Sequence, residues 1–463
     1  MNRRRKALHL GLLGSALFLC SGVTTFALVQ VIRPDRDASV RKRLPAPDLL
    51  PTLPPATSGK ELPKGRAAEP SSPPEGEAGR DRPTFEKAIG GSAKEDTEAA
   101  RPDATDPLQA RFNYPRGITV DSSGAVYIAD SNGNRVVKVT PQGKLAPVTG
   151  SGKWWFSGDG DYAVRAEVAS PEDVAVDSRG NVYIADRGNS RIRKIDRGGI
   201  ITTVAGSGRP GELAFSGDGG PASEARLSVL GLAVDRSDNL YFADMANHRI
   251  RKVDRKGVVT TVAGSGPSAP EEGGYAGDGG PATKARLYQP NDVAFDGDGN
   301  MYIADSGNGL IRKVDTDGII TTVAGGHFSL PIREDATPAM KTGLSQPFGL
   351  AVDSKGNLYI SDTYLNCIRK VTPDGKIETV AGNPDPGPGS EGYTGDNGPA
   401  KKALIHTPHR IALDAKDNLY IMDAYNNRVR KVSAATGEIT TFAGSGPTCD
   451  PEDGKDKPEG GGQ

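Results

Sequence analysis

A tyrosine set in nearly the same short string returns six times along this chain, at Tyr127, Tyr183, Tyr241, Tyr302, Tyr359 and Tyr420, with spacings of 56, 58, 61, 57 and 61 residues. One unit repeated at such a period builds a solenoid, an array or a propeller, because a single copy cannot bury its apolar face alone. In the second copy Val174-Ala175-Val176-Asp177 is followed by a Ser-Arg-Gly-Asn turn and then by Val182-Tyr183-Ile184-Ala185-Asp186. A third run, Arg191-Ile192-Arg193-Lys194-Ile195, leads through Arg197-Gly198-Gly199 to a fourth, Ile200 to Ala205. Four short runs parted by tight turns read as one antiparallel sheet. The second run is apolar on both sides of its strand, as in a sheet sandwiched between neighbouring sheets. Six such sheets around an axis predict an all-β fold, a six-bladed β-propeller spanning 106–446. Each copy runs from inner to outer strand. Closure is therefore expected from blade 1 packing on blade 6, unless residues 106–114 add a short strand.

The repeated strings, of the kind Pro-x-x-Val-Ala-Val-Asp, Gly-Asn-Leu-Tyr-Ile-Ala-Asp and Arg-Ile-Arg-Lys-Val, seen near 290–296, 356–362 and 249–253, resemble the NHL repeat family. The resemblance covers about 340 of the 463 residues and implies the propeller fold. It leaves function open, since NHL and related six-bladed propellers include extracellular scaffolds, sensor domains of membrane kinases, RNA-binding surfaces, lyases and lactonases. The chain has no room for a kinase domain.

Composition and flanks narrow the classes. A formal net charge of -1 argues against bulk attraction to nucleic acid. Cys20, Cys367 and Cys449 are too few and too scattered for a disulfide framework or a zinc cluster. Arg3, Arg4, Arg5 and Lys6 precede 26 uncharged residues, Ala7 to Ile32, which predicts a signal anchor over 1–32 with the bulk of the chain membrane-anchored and extracytoplasmic. Cleavage as a signal peptide near Thr25-Phe26-Ala27, giving a secreted protein, is the alternative. Residues 33–105, rich in proline, glycine and both signs of charge, read as a disordered linker, and 447–463 as a similar tail.

A residue present in all six copies braces a blade, whereas one that varies at symmetric positions is available for a site. Asp130, Asp186, Asp244, Asp305, Asp362 and Asp423 recur three residues after each tyrosine. Arg135, Arg191, Arg249 and Arg428, five residues further on, are expected to clamp them. Leu310 and Cys367 interrupt this pattern and predict looser or differently braced loops in blades 4 and 5. Loops such as Phe215-Ser216-Gly217-Asp218-Gly219 supply one or two carboxylates each, too few for calcium, and read as aromatic-anchored turns with glycines at positive φ. Trp154 and Trp155, the only tryptophans, lie in one such loop, either exposed or packed on a neighbouring blade.

The variable positions lie where the inner strands begin, near the mouth of the channel. Blades 1, 3 and 5 carry Arg116-Gly117, Leu230-Gly231 and Phe348-Gly349; blades 2, 4 and 6 carry Glu172-Asp173, Asn291-Asp292 and His409-Arg410. Arg116, Glu172, Asp173, Asn291, Asp292, Phe348, His409 and Arg410 are thus the candidate ligand-binding residues. Two functions follow. The favoured one is a non-enzymatic extracytoplasmic binding or scaffolding module, without cofactor, for a protein, glycan or cell-envelope partner. The alternative is a metal-assisted lactonase, hydrolase or lyase, with one divalent calcium or zinc ion between Glu172, Asp173, Asn291 and Asp292 and His409 as general base. Similarity to the gluconolactonase type, which sets Glu, Asn and Asp from separate blades on an ion, and to amidating lyases, which use histidines, implies this second reading. His248, His327 and His406 instead fall in loops.

Overall fold

The computed structural model describes residues 105–207, 215–266, 273–326, 337–384 and 392–446. The expected anchor, linker and tail, with Cys20, Cys449 and His327, lie outside them. Among the described residues no helix is long and apolar enough to cross a membrane.

Six antiparallel sheets form, each with four strands in sequence order from inner to outer, and in blades 4, 5 and 6 a two-residue strand from the preceding loop, Gly280–Pro281, Thr337–Pro338 or Gly398–Pro399, adds at the outer edge. In blade 2 the strands are Pro171–Val176, Val182–Asp186, Arg191–Ile195 and Ile201–Ala205. The second strand is buried at all five positions because both of its faces meet a neighbouring sheet. Apolar clusters fill each interface: Ile192 and Ala205 of blade 2 pack with Leu227, Leu232, Phe242 and Val259 of blade 3. The recurring tyrosine pins the turn before it. Tyr183 donates to Asp177 at 3.2 Å, and that carboxylate also accepts the backbone N–H groups of Arg179 and Asn181. Tyr302, Tyr359 and Tyr420 do the same to Asp296, Asp353 and Asp414.

The ring closes without a shared strand. Residues 107–109 form a 3-10 turn, and the N–H groups of Gly444 and Ser445 donate to the carbonyls of Pro107 and Ala110, each at 2.8 Å. The junction of blades 2 and 3 uses the same bonds, Gly206 to Ala222 and Ser207 to Ala225. Phe112 then joins Met422, Val429 and Ala443 in the blade 6 to blade 1 core, and Asn427 accepts the N–H of Tyr114 at 2.8 Å.

The recurring aspartates are braced by a different arginine from the one expected. Only Asp130 pairs with the residue five further on, Arg135, at 2.8 Å. Asp186, Asp244, Asp305 and Asp423 instead face Arg193, Arg251, Arg312 and Arg430, seven residues on, at 3.3–3.5 Å. These four arginines are fully buried and also pair with the loop aspartates Asp159, Asp218, Asp278 and Asp396. The arginines at the expected position, Arg191, Arg249 and Arg428, lie over Phe156, Phe215 and Tyr393 and donate to backbone carbonyls. The reason is register. Asp186 is opposite Arg191, and Arg193 is two residues along on the same face, where a long side chain reaches back diagonally. Blade 1 has Val137 at that diagonal position, so Arg135 takes over. Leu310 and Cys367 therefore do not loosen their blades: both are buried, Arg312 keeps the clamp, and Arg369 supplies the charge beside Asp362. The loops are aromatic-anchored turns as expected, with Gly158, Gly160, Gly217 and Gly219 at φ of 82–91°.

Around the axis the inner strands approach closely. A Cβ on Gly117 would stand 2.5 Å from the Cα of Asp173, and one on Gly349 would stand 2.7 Å from the Cα of Arg410. Gly117→Ala is expected to cost about 2–3 kcal/mol, since backbone and not a flexible side chain must move. Chemical denaturation checks it; a cost below about 0.5 kcal/mol, typical of a surface change, would refute the close approach.

Candidate functional site

The eight sequence-predicted residues come together in two tiers at the mouth. In the deeper tier, glycines of blades 1, 3 and 5 alternate with Asp173, Asp292 and Arg410. Arg410 Nε pairs with Asp173 Oδ2 at 2.8 Å, and Nη2 donates to the carbonyl of Asn291 at 3.1 Å. Asp173 Oδ2 also accepts Leu232 N–H at 2.8 Å, and Asp292 Oδ2 accepts Leu350 N–H at 2.9 Å. One guanidinium thus ties blades 2, 4 and 6 across the axis. Burial raises the Asp173 carboxyl to about 7 despite the pull of Arg410, with Asp292 pushing the same way, and burial raises Asp292 too. Beyond this tie a cavity of about 230 Å³ runs along the inner strands, walled by residues such as Ile118, Val174, Leu232 and Leu350.

In the outer tier Glu172, buried, takes hydrogen bonds on one oxygen from Arg116 and from Arg187 Nη1, the latter at 2.7 Å. Burial alone would raise its pKa, but the two guanidinium groups outweigh it and hold the carboxyl at about 2. His409 shares a 3.0 Å hydrogen bond with the Tyr114 hydroxyl and lies edge-on to Phe348 at 4.4 Å. Burial, then the positive charge of Arg116, drives its pKa down to about 3, so it stands neutral. Arg116 Nε, Glu172 Oε2, Asp173 Oδ1, His409 Nδ1 and Arg410 Nη1 are buried without a hydrogen-bond partner among the described residues.

The residues expected to hold a divalent ion do not fit one. Glu172 is committed to two arginines in one tier; in the other Asp173 pairs with a third arginine, and both Asp173 and Asp292 accept backbone N–H groups. Among the described residues no three His, Cys, Asp or Glu side chains are placed to hold a metal. His409 is a poor general base, because a basicity so far below neutrality gives little drive for proton abstraction. Of the loop histidines, His248 accepts the N–H of Gln289 at 3.0 Å, and His406 stacks on Tyr425.

The inner-strand pattern alone does not point to Arg187, Tyr114, Tyr364 or Tyr425. Arg187, Tyr364 and Tyr425 sit in the 3-10 turns after the second strands, and Tyr114 just before an inner strand at φ 51°. The turns do vary between blades, and that variation was the available signal. Trp154 and Trp155 are exposed, at 54% and 67%. They lie beside the Arg187 turn: a Cβ on Gly188 would come within 3.0 Å of Trp154, and Asn189 donates to the Trp155 carbonyl.

Six repeats of this pattern, closed around a polar mouth, define an NHL-repeat β-propeller, and the NHL repeat family model matches residues 112–139. The Teneurin NHL domain model matches 152–211, 208–272, 262–334 and 329–433, and the chain belongs to that family. It is 28% identical to Teneurin-1 of Gallus gallus over 352 residues, 70% of this chain and 13% of that protein. It is 30% identical to Teneurin-1 of Homo sapiens over 278 residues, 55% of this chain and 10% of that one. The chain thus spans only about a tenth of these curated relatives' length. Among solved structures, a Bacteroides thetaiotaomicron protein of unknown function aligns with a TM-score of 0.50 at 21% identity, covering 72% of this chain and 73% of that one.

Proposed function

We propose that this chain is a non-enzymatic binding propeller, displayed outside the cytoplasm by its N-terminal segment, whose channel mouth receives a protein partner. The observation that carries the reading is the coincidence, at one end of the axis, of buried polar atoms lacking partners with exposed aromatic residues. Buried polar groups are nearly always satisfied, so a cluster that is not points to a site completed by something bound. Tryptophan, tyrosine and arginine are the residues that dominate protein–protein binding energy. The weak basicity of His409 and the arginine pairing of Glu172 and Asp173 count against a hydrolase.

Site-specific photo-crosslinking in cells of the source organism tests it. A crosslinker at Asn132, on the mouth face, is expected to give discrete higher-mass adducts, and one at Ser122, on the opposite face, is not. Equal adducts from both positions, or none from Asn132, would sink the reading. Turnover of lactones or esters abolished by His409→Ala would restore the enzyme.

A further inference from the structure

Resting on that reading, we infer that the mouth recognises an acidic protein segment, through a carboxylate seated between Arg116 and Arg187 and apolar neighbours laid on the surrounding aromatic rings. Both guanidinium groups already converge on one oxygen of Glu172. Arg187 spends a single 2.7 Å hydrogen bond there, with its side chain 41% exposed. A second carboxylate arriving from solvent meets two positive groups held in place by the first, so it gains charge-assisted hydrogen bonds with little ordering cost.

The flanks decide what carries that carboxylate. On one side Tyr425, 54% exposed, lies edge-on to Tyr114 at 5.1 Å, and Tyr114 in turn supports Arg116 at 4.6 Å. On the other, Trp154 overhangs the glycine that follows Arg187. Rings on both sides of a cation pair suit side chains next to an acidic residue in a polypeptide.

A polyanion such as a sulfated glycan or nucleic acid fits less well. It draws its affinity from several cations spaced along its backbone. At this mouth Arg191, Arg249 and Arg428 are tied to the carbonyls of Asn189, Asn247 and Gly444, and the anionic Glu172 lies against Arg116 and Arg187. A row of phosphates or sulfates would press against that fixed negative charge.

The test uses the full chain and a random glutamate–tyrosine copolymer, read by tryptophan emission, since Trp154 and Trp155 are the only tryptophans and both border the site. At about 0.15 M salt the copolymer is expected to give a saturable emission change. Arg187→Glu and, separately, Tyr425→Ser are expected to weaken it about tenfold or more, and a cooperative thermal melt above the assay temperature shows that each variant is still folded. Polyglutamate of equal charge should bind more weakly than the copolymer, for want of rings. The proposal is overturned by no binding of the copolymer, by equal binding to Arg187→Glu, or by heparin or an oligonucleotide displacing the copolymer at lower charge concentration. If the copolymer fails while Asn132 still crosslinks a partner, the acidic class falls and the binding reading stands; if both fail, both fall.

Discussion

Arg410→Met is expected to lower the unfolding free energy by about 3–5 kcal/mol, because it leaves Asp173 and Asp292 buried, close together and without their shared counter-charge. The pH dependence identifies the cause. In the native protein Asp173 binds its proton more tightly than the unfolded chain does, with its pKa raised to about 7 from 3.8. Its contribution to stability therefore grows as pH falls through that window, and is least favourable above pH 7. Removing the guanidinium, which opposes protonation, raises both carboxyls further. The deficit of the variant should accordingly be largest near pH 8 and shrink near pH 5, where protonation relieves the repulsion. Denaturant unfolding of the two proteins at both pH values measures it. The same deficit at both would mean that Arg410 acts by filling space and not by charge. Adding Asp173→Asn to the variant should recover part of the loss at pH 8.

The second large effect separates two arginines that differ by two residues. Arg430→Met is expected to cost about 3–5 kcal/mol, since the fully buried guanidinium compensates Asp423 and also pairs with Asp396. Arg428→Ala, at the position the sequence pattern favoured, should cost about 1 kcal/mol, because that side chain packs on Tyr393 and bonds to the carbonyls of Gly444 and Ser445 at the protein edge without compensating a buried charge. In blade 1 the roles are expected to swap: Arg135→Ala should be costly there, because Val137 leaves Asp130 with Arg135 as its ion-pair partner. Equal costs for Arg428 and Arg430 would contradict the diagonal brace.

The blade count, strand order and buried second strands were legible because period-two patterning and turn residues repeat six times, so each copy corroborates the others. The mouth was legible for a related reason: a position that alternates between glycine and Asp173, Asp292 or Arg410 stands out against constant neighbours. Pairings within it were not, because sequence fixes which face a side chain takes but not how far a long arginine reaches along that face. Residues five and seven beyond each aspartate share a face, and only the strand register and the volume of Val137, Leu310 or Cys367 decide which one turns inward. Glu172 looks free to hold an ion in the sequence for the same reason: its partner Arg187 comes from a separate turn, and no local spacing links the two. Closure by residues 106–114 is half legible, since the segment stands just before the first copy, but the 3-10 turn found there in place of a strand carries no apolar alternation.

The alternation of glycine and charge around the axis also restricts how such a ring can change size. Each glycine makes room for the charged residue of the following blade, as Gly117 does for Asp173 and Gly231 for Asp292. Deleting or inserting a single blade would set two charged side chains in adjacent places, with the space for only one, or leave two glycines side by side and a hole. The axis therefore admits only even numbers of blades, and the smallest piece that can be duplicated, grafted or exchanged between rings of this design is a pair.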